Sequence, residues 1–197
     1  MGETVALGTS PRKSGKRFTY GDYKSWPDGE RWEIIDGAAY AMSPAPRLMH
    51  QSVLGGLFAQ MHNSFAGKPC RPYIAPVDVF LPEGDEPLDD IEHVVQPDAF
   101  VVCDTSKLID EGVRGAPDFI IEVLSPGTAM KDQTEKRRLY ESHEVREYWI
   151  VNPETLEAFI YLLKDDKYGL PSAADLRQPT TASIFPGLAL KARPEDL

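Results

Sequence analysis

Cysteine is scarce: only Cys70 and Cys103 occur in 197 residues, with no CxxC between or around them. A structural zinc site built on thiolates is therefore excluded. Two free thiols, and a start (Met1-Gly2-Glu3-Thr4-Val5-Ala6) without the apolar core of a signal peptide, are expected of a cytoplasmic chain. No apolar run approaches the ~20 residues that span a bilayer, so no membrane partner is expected. Ala6 also breaks the myristoylation pattern. There is no Gly-rich phosphate loop, and Ser125 has no G-x-S-x-G around it. The four histidines, His50, His62, His93 and His143, do not pair at HxxxH or another metal spacing. Positive charge is short as well: 21 Lys and Arg against 31 Asp and Glu leave a net charge of −10. That speaks against a protein that coats nucleic acid, because non-specific affinity comes from neutralised phosphates.

What is present suits one globular domain of ordinary composition, 42% hydrophobic and 26% charged. Residues 1–17 are polar and read as a flexible tail, leaving 18–197 as the single domain. Trp32 to Met42 reads as a hairpin around Asp36-Gly37. Ser43-Pro44-Ala45-Pro46 then breaks the chain. Val53, Leu54, Leu57, Phe58 and Met61 form one apolar stripe and predict a helix over 50–65. Strands are expected at Tyr73 to Leu81, His93 to Cys103 and Pro117 to Leu124, the last apolar enough to be buried on both faces. Glu83 to Glu92 between the first two holds six acids and no base, and reads as a solvated loop. Thr128 is a candidate N-cap for a helix over 129–143. Glu147 to Val151 and Leu156 to Leu163 read as strands, and a loop-rich end follows. The order predicts an α/β fold, a mixed β-sheet flanked by α-helices.

Two carboxylates are out of place in this pattern. Asp98 follows Val94-Val95-Gln96-Pro97, and Glu122 lies within Phe119-Ile120-Ile121-Glu122-Val123-Leu124. A charge in a buried strand is costly unless paired or bound to metal. Neighbouring strands lie ~4.8 Å apart, so carboxylates on one face can share a hard cation. Asp118 is four residues from Glu122, ~13 Å along a strand, too far to join it on one ion. It reads as a turn or strand-start residue. On the following helix, Asp132, Lys136 and Tyr140 are four apart and share a face. Lys136 is in reach of a phosphate or attacking water, or of an ion pair with Asp132. Arg137 and Arg138 are candidate phosphate contacts.

Taken in order, these segments resemble a known family. They are Glu33 with Asp36-Gly37, Met42-Ser43-Pro44, His50-Gln51, Val95-Gln96-Pro97-Asp98, Pro117 to Pro126, then Asp132, Lys136, Tyr140 and Glu147 to Val151. The family is the Uma-type group of restriction-endonuclease-like proteins in the PD-(D/E)XK superfamily, and the resemblance runs from about Thr19 to Leu188. It implies a restriction-endonuclease-like core and a Mg²⁺ (or Mn²⁺) site. Asp98 matches the PD acid, Glu122 the (D/E)XK acid, and Glu33 the additional N-terminal acid. Asp98, Glu122 and the Val123 carbonyl would hold the metal, with Lys136 catalytic and Tyr140, Asp132 and His50 in support. One departure stands out: the pattern wants Lys two residues after Glu122, where this chain has Leu124. Lys136, from the following helix, is the matching candidate. The expected activity is metal-dependent cleavage of DNA by a homodimer. The alternatives are a catalytically inactive module on the same fold that binds nucleic acid or a protein, and an assembly subunit.

Overall fold

The structure, a computed structural model, describes residues 16–27, 29–42, 47–125, 127 and 129–192. Most of the expected tail, the Ser43-Pro44-Ala45-Pro46 break and the Thr128 cap lie outside them. A short helix, α1 (Tyr20–Tyr23), is capped by Thr19 and leads into β1 (Trp32–Ile35) and β2 (Ala38–Ala41). Asp36 and Gly37 link these strands with φ of 52° and 69°, the left-handed pair that a tight hairpin turn requires. Helix α2 (Leu48–Phe65) follows, then β3 (Arg71–Ile74), β4 (Asp78–Phe80), β5 (Val94–Val95) and β6 (Ala99–Val102). A hairpin of β7 (Leu108–Ile109) and β8 (Gly112–Arg114) precedes β9 (Phe119–Val123). One continuous helical segment comes next: α3 (Ala129–Lys131), a π-helical turn (Asp132–Lys136) and α4 (Arg137–Ser142). Then come β10 (Glu147–Val151) and β11 (Glu157–Lys164). Four short strands close the chain: β12 (Lys167–Tyr168), β13 (Ser172–Asp175), β14 (Thr180–Thr181) and β15 (Ala189–Leu190).

Two large sheets and a two-stranded β14-β15 ribbon result among the described residues, where one sheet was expected. The larger runs β12-β11-β10-β9-β6-β3, with β13 also on β11; the smaller runs β2-β1-β5-β4-β8-β7. The expected strands at 73–81 and 93–103 each divide between them. Their first or last residues pair in one sheet and the remainder in the other. Both crossings lie at prolines, Pro76 and Pro97, which lack the N–H that would continue a ladder. Asp98 therefore sits at the corner where the chain changes sheets, not inside a strand. The Ala75 amide donates to the Asp98 carbonyl at 2.9 Å and ties the two corners together.

Strand β9 is central and wholly buried, parallel to β10 and antiparallel to β6. Its alternation sorts the two cores. Phe119, Ile121 and Val123 join Val53, Leu57 and Met61 of α2. Ile120 joins Leu139 and Tyr140 of α4, with Ile35 and Tyr40 of the small sheet. Glu122, two residues on from Ile120, points to that second side. Leu124 packs against the same cluster, so an apolar group does fill the position where the family pattern has Lys.

One expectation is corrected here. Cys70, just before β3, and Cys103, just after β6, form a disulfide, so neither thiol is free. The two strands are paired with Arg71 opposite Val102, which places the flanking cysteines side by side. No helix among the described residues is long and apolar enough to cross a membrane.

Candidate metal and catalytic centre

Glu33, Asp98, Glu122 and Lys136 meet at the junction of the two sheets. Each reaches it from a different element. Glu122 comes from β9 and Glu33 from β1. The Asp98 amide donates to Glu122 Oε2 at 3.3 Å, and the Val123 amide donates to Asp98 Oδ2 at 2.8 Å. The two acids are thus cross-linked through each other's backbone. The Lys136 ammonium lies 2.8 Å from both Glu122 Oε1 and Glu33 Oε1, and 3.7 Å from Asp132. Tyr140 donates its hydroxyl to Glu122 Oε1 at 2.9 Å, so it positions Glu122 directly and Lys136 only through it. His50, in the first turn of α2, places Nε2 3.2 Å from Asp98 Oδ2. Glu33, Glu122, Asp132 and Lys136 are buried, whereas the Asp98 side chain is 21% exposed. The cluster therefore opens to solvent at Asp98.

Sequence spacing did not point to Lys131. Its ammonium pairs with Glu33 and sits 5.6 Å from the centre of the Tyr40 ring, on the residue opposite Glu33 across the hairpin. On a regular helix, residues 131 and 136 point ~140° apart. The π-helical turn over 132–136 brings positions five apart nearly into line, so both lysines reach Glu33. No signal of period 3.6 predicts that. Arg137 pairs with Glu141 and lies over Tyr161, and neither it nor Arg138 hydrogen-bonds or ion-pairs with the cluster.

The electrostatics are uneven. Glu33 is held down at about 2: burial opposes ionisation, but Lys136 and Lys131 together outweigh it. Glu122 is pushed up to about 8, first by burial, then by Asp132, Asp98 and Glu33, against the pull of Lys136. The Lys136 pKa is raised: burial disfavours its charge, but Glu122, Glu33 and Asp132 outweigh the burial. The His50 pKa is raised: burial disfavours its charged form, but the Asp98 hydrogen bond and charge prevail. The acids that crowd Glu122 leave it short of positive charge.

A buried acid need not mean this. Glu147 is also fully buried, yet it accepts from the Trp149 indole and from the Ser183 and Ile184 amides, which satisfy it. Asp118 likewise accepts from the Cys103 amide and Arg146, as a strand-start residue does. Glu122 also has its partners, Lys136, Tyr140 and the Asp98 amide, but differs in that Asp132, Asp98 and Glu33 crowd it.

The oxygen donors at the Asp98–Glu122 corner suit a hard divalent cation, which takes carboxylate and carbonyl oxygens. Tyr140→Phe should cost about 1–2 kcal/mol, the range for one buried hydrogen bond. Urea denaturation reports this, and an unchanged midpoint would mean that the Tyr140 bond to Glu122 contributes nothing.

Residues 20–193 match the Uma2 family, described as "Putative restriction endonuclease". The chain belongs to that family. The uncharacterized protein slr1290 of Synechocystis sp. is 26% identical over 160 residues, 80% of each chain. Among solved structures, this Uma2 chain is similar to a "putative nuclease belonging to DUF820" from Anabaena variabilis. The TM-score is 0.68 at 17% identity, covering 91% of this chain and 96% of that one. At that identity the likeness concerns the fold, which is that of a nuclease-like α/β protein.

Proposed function

We propose that this Uma2 protein is a Mg²⁺- or Mn²⁺-dependent endonuclease that hydrolyses DNA phosphodiester bonds. The observation that carries the reading is Glu122: a buried strand acid crowded by Asp98, Asp132 and Glu33, with Lys136 and Tyr140 fixed on its other oxygen. Asp98, Glu122 and the Val123 carbonyl are the groups that would hold the metal. When bound, a divalent ion supplies Lewis acidity and lowers the pKa of a water nucleophile.

The chain's own groups account for the rest. Lys136 presents a fixed ammonium where charge develops on the phosphate, in a site from which water is largely excluded. Glu33 orients that ammonium and keeps it charged. Lys131 neutralises Glu33, so that Lys136 is not drawn wholly to it. His50 holds one Asp98 oxygen, and the Val123 amide holds it too, fixing the carboxylate at the mouth of the site. Cleavage of both strands favours a homodimer, since one centre cuts one strand at a time.

The test is incubation of the purified chain with plasmid, single-stranded DNA and RNA, in Mg²⁺ or Mn²⁺ and in EDTA. Metal-stimulated cleavage of DNA supports the reading, and metal binding without cleavage of any substrate favours the non-catalytic alternative. A pH dependence follows from Glu122. Below pH about 8 its carboxyl carries a proton, which metal binding must expel. Affinity for Mg²⁺ should therefore rise with pH up to that value and level off above it. Calorimetry in buffers of different ionisation enthalpy measures the released proton. A buffer-independent enthalpy at neutral pH would exclude it.

A further inference from the structure

Away from the Asp98–Glu122 corner, Glu83, His93 and His143 bring three donor atoms within 4.8 Å of one another. They come from separate places in the chain. Glu83 lies in the loop after β4, His93 just before β5, and His143 at the end of α4. His93 is buried, His143 half-buried and Glu83 exposed. His93 Nε2 lies 3.0 Å from Glu83 Oε1 and 3.9 Å from Asp36 Oδ1. The two imidazole rings meet edge to face, 5.3 Å between centres.

We propose that Glu83, His93 and His143 form a second metal site, suited to Zn²⁺ and separate from the Asp98–Glu122 centre. Two imidazoles and a carboxylate are a set that zinc takes, with water in the fourth position, whereas Mg²⁺ prefers oxygen donors alone. Tetrahedral zinc with bonds of ~2.0–2.1 Å spaces its donors roughly 3.4 Å apart. His93 and Glu83 are already closer than that, and the half-buried His143 and exposed Glu83 have room to close on the ion. The outer contacts bear on which nitrogens bind. His143 Nδ1 lies 2.9 Å from the Leu139 carbonyl, and donating to it leaves Nε2 as the ligand. His93 Nδ1 instead accepts the Asp36 amide at 3.1 Å, so without metal its Nε2 proton goes to Glu83. Metal binding moves that proton to Nδ1, and the ring stays neutral. The Asp36 amide, on an exposed turn, passes to water.

The placement gives such a site a purpose. His93 directly precedes Val94 of β5, which pairs with Ile34 in the hairpin that carries Glu33, and His143 ends the helical segment that carries Lys131, Lys136 and Tyr140. An ion here would fasten together the two elements that also meet through the Glu33–Lys136 pair.

Co²⁺ is the probe, titrated into the full chain without a polyhistidine tag. Four-coordinate Co²⁺ absorbs strongly in the visible, and a six-coordinate oxygen site absorbs weakly. The expected result is one equivalent giving the intense band, bleached by Zn²⁺. The band persists in Glu122→Gln and is lost in His143→Gln. Glu83→Gln, at an exposed side chain, keeps the metal-free melting curve and weakens binding beyond the roughly 10–100-fold typical of outer-shell changes. Absence of the band in the unaltered chain overturns the proposal. So does a band that is lost in Glu122→Gln yet kept in His143→Gln, which would put the ion in the carboxylate centre. Neither readout depends on DNA cleavage.

Discussion

Replacing Lys136 by Met should destabilise the protein by about 3–5 kcal/mol above pH 8, the cost of stripping a buried ion pair of one partner. Lys136 is buried between Glu33 and Glu122, with Asp132 beside them. The Met side chain fills the stem's volume but removes the charge that pulls the Glu122 pKa down, so above pH 8 Glu122 must either ionise unpaired among acids or hold a proton that it releases in the unaltered chain. Glu33 keeps Lys131 and suffers less. The loss should shrink at lower pH, because Glu122, pushed up to about 8, then takes a proton. For a domain of this size each kcal/mol shifts Tm by roughly 2–4 °C. Thermal melts at two pH values measure both effects. A loss under about 1 kcal/mol at either pH would mean that the ammonium is not the charge that balances this cluster.

Glu122→Gln should behave in the opposite way. Gln copies the shape of the protonated acid, can still accept from Tyr140, and leaves Lys136 its pair with Glu33. It also removes one charge from a group of crowded acids. Stability without metal at neutral pH should stay level or rise, as happens where a site is strained for function. Cleavage should fall at least about a hundredfold, roughly 2.7 kcal/mol of transition-state stabilisation. Loss of both stability and activity would instead mark Glu122 as a structural ion-pair partner.

Much of this arrangement was legible from residue patterns, and the parts that were not have a common cause. Local signals worked: the Asp36-Gly37 hairpin, the α2 stripe and Glu147–Val151 all appear within two residues of expectation. The Uma-type resemblance and the α/β fold also hold. Glu122 was visible because an acid in an apolar strand is expensive. What failed depended on contacts distant in sequence. Two strands divide at Pro76 and Pro97 because the chain passes from one sheet to another, and no local period encodes a change of partner. The Cys70–Cys103 disulfide follows from the β3–β6 register, which spacing does not give. Lys131 was hidden by the π-helical turn, which breaks the 3.6-residue spacing used to align Asp132, Lys136 and Tyr140. Glu83, His93 and His143 lie across 60 residues of chain, outside any compact metal motif.

The most direct test sets the unaltered chain beside Glu122→Gln on supercoiled plasmid in Mn²⁺, in Mg²⁺ and in EDTA. The account predicts nicked or linear DNA from the unaltered chain with either metal, none in EDTA, and none from Glu122→Gln under any condition. Equal cutting by Glu122→Gln, or cutting that survives EDTA, would contradict a metal-dependent centre built on Asp98 and Glu122.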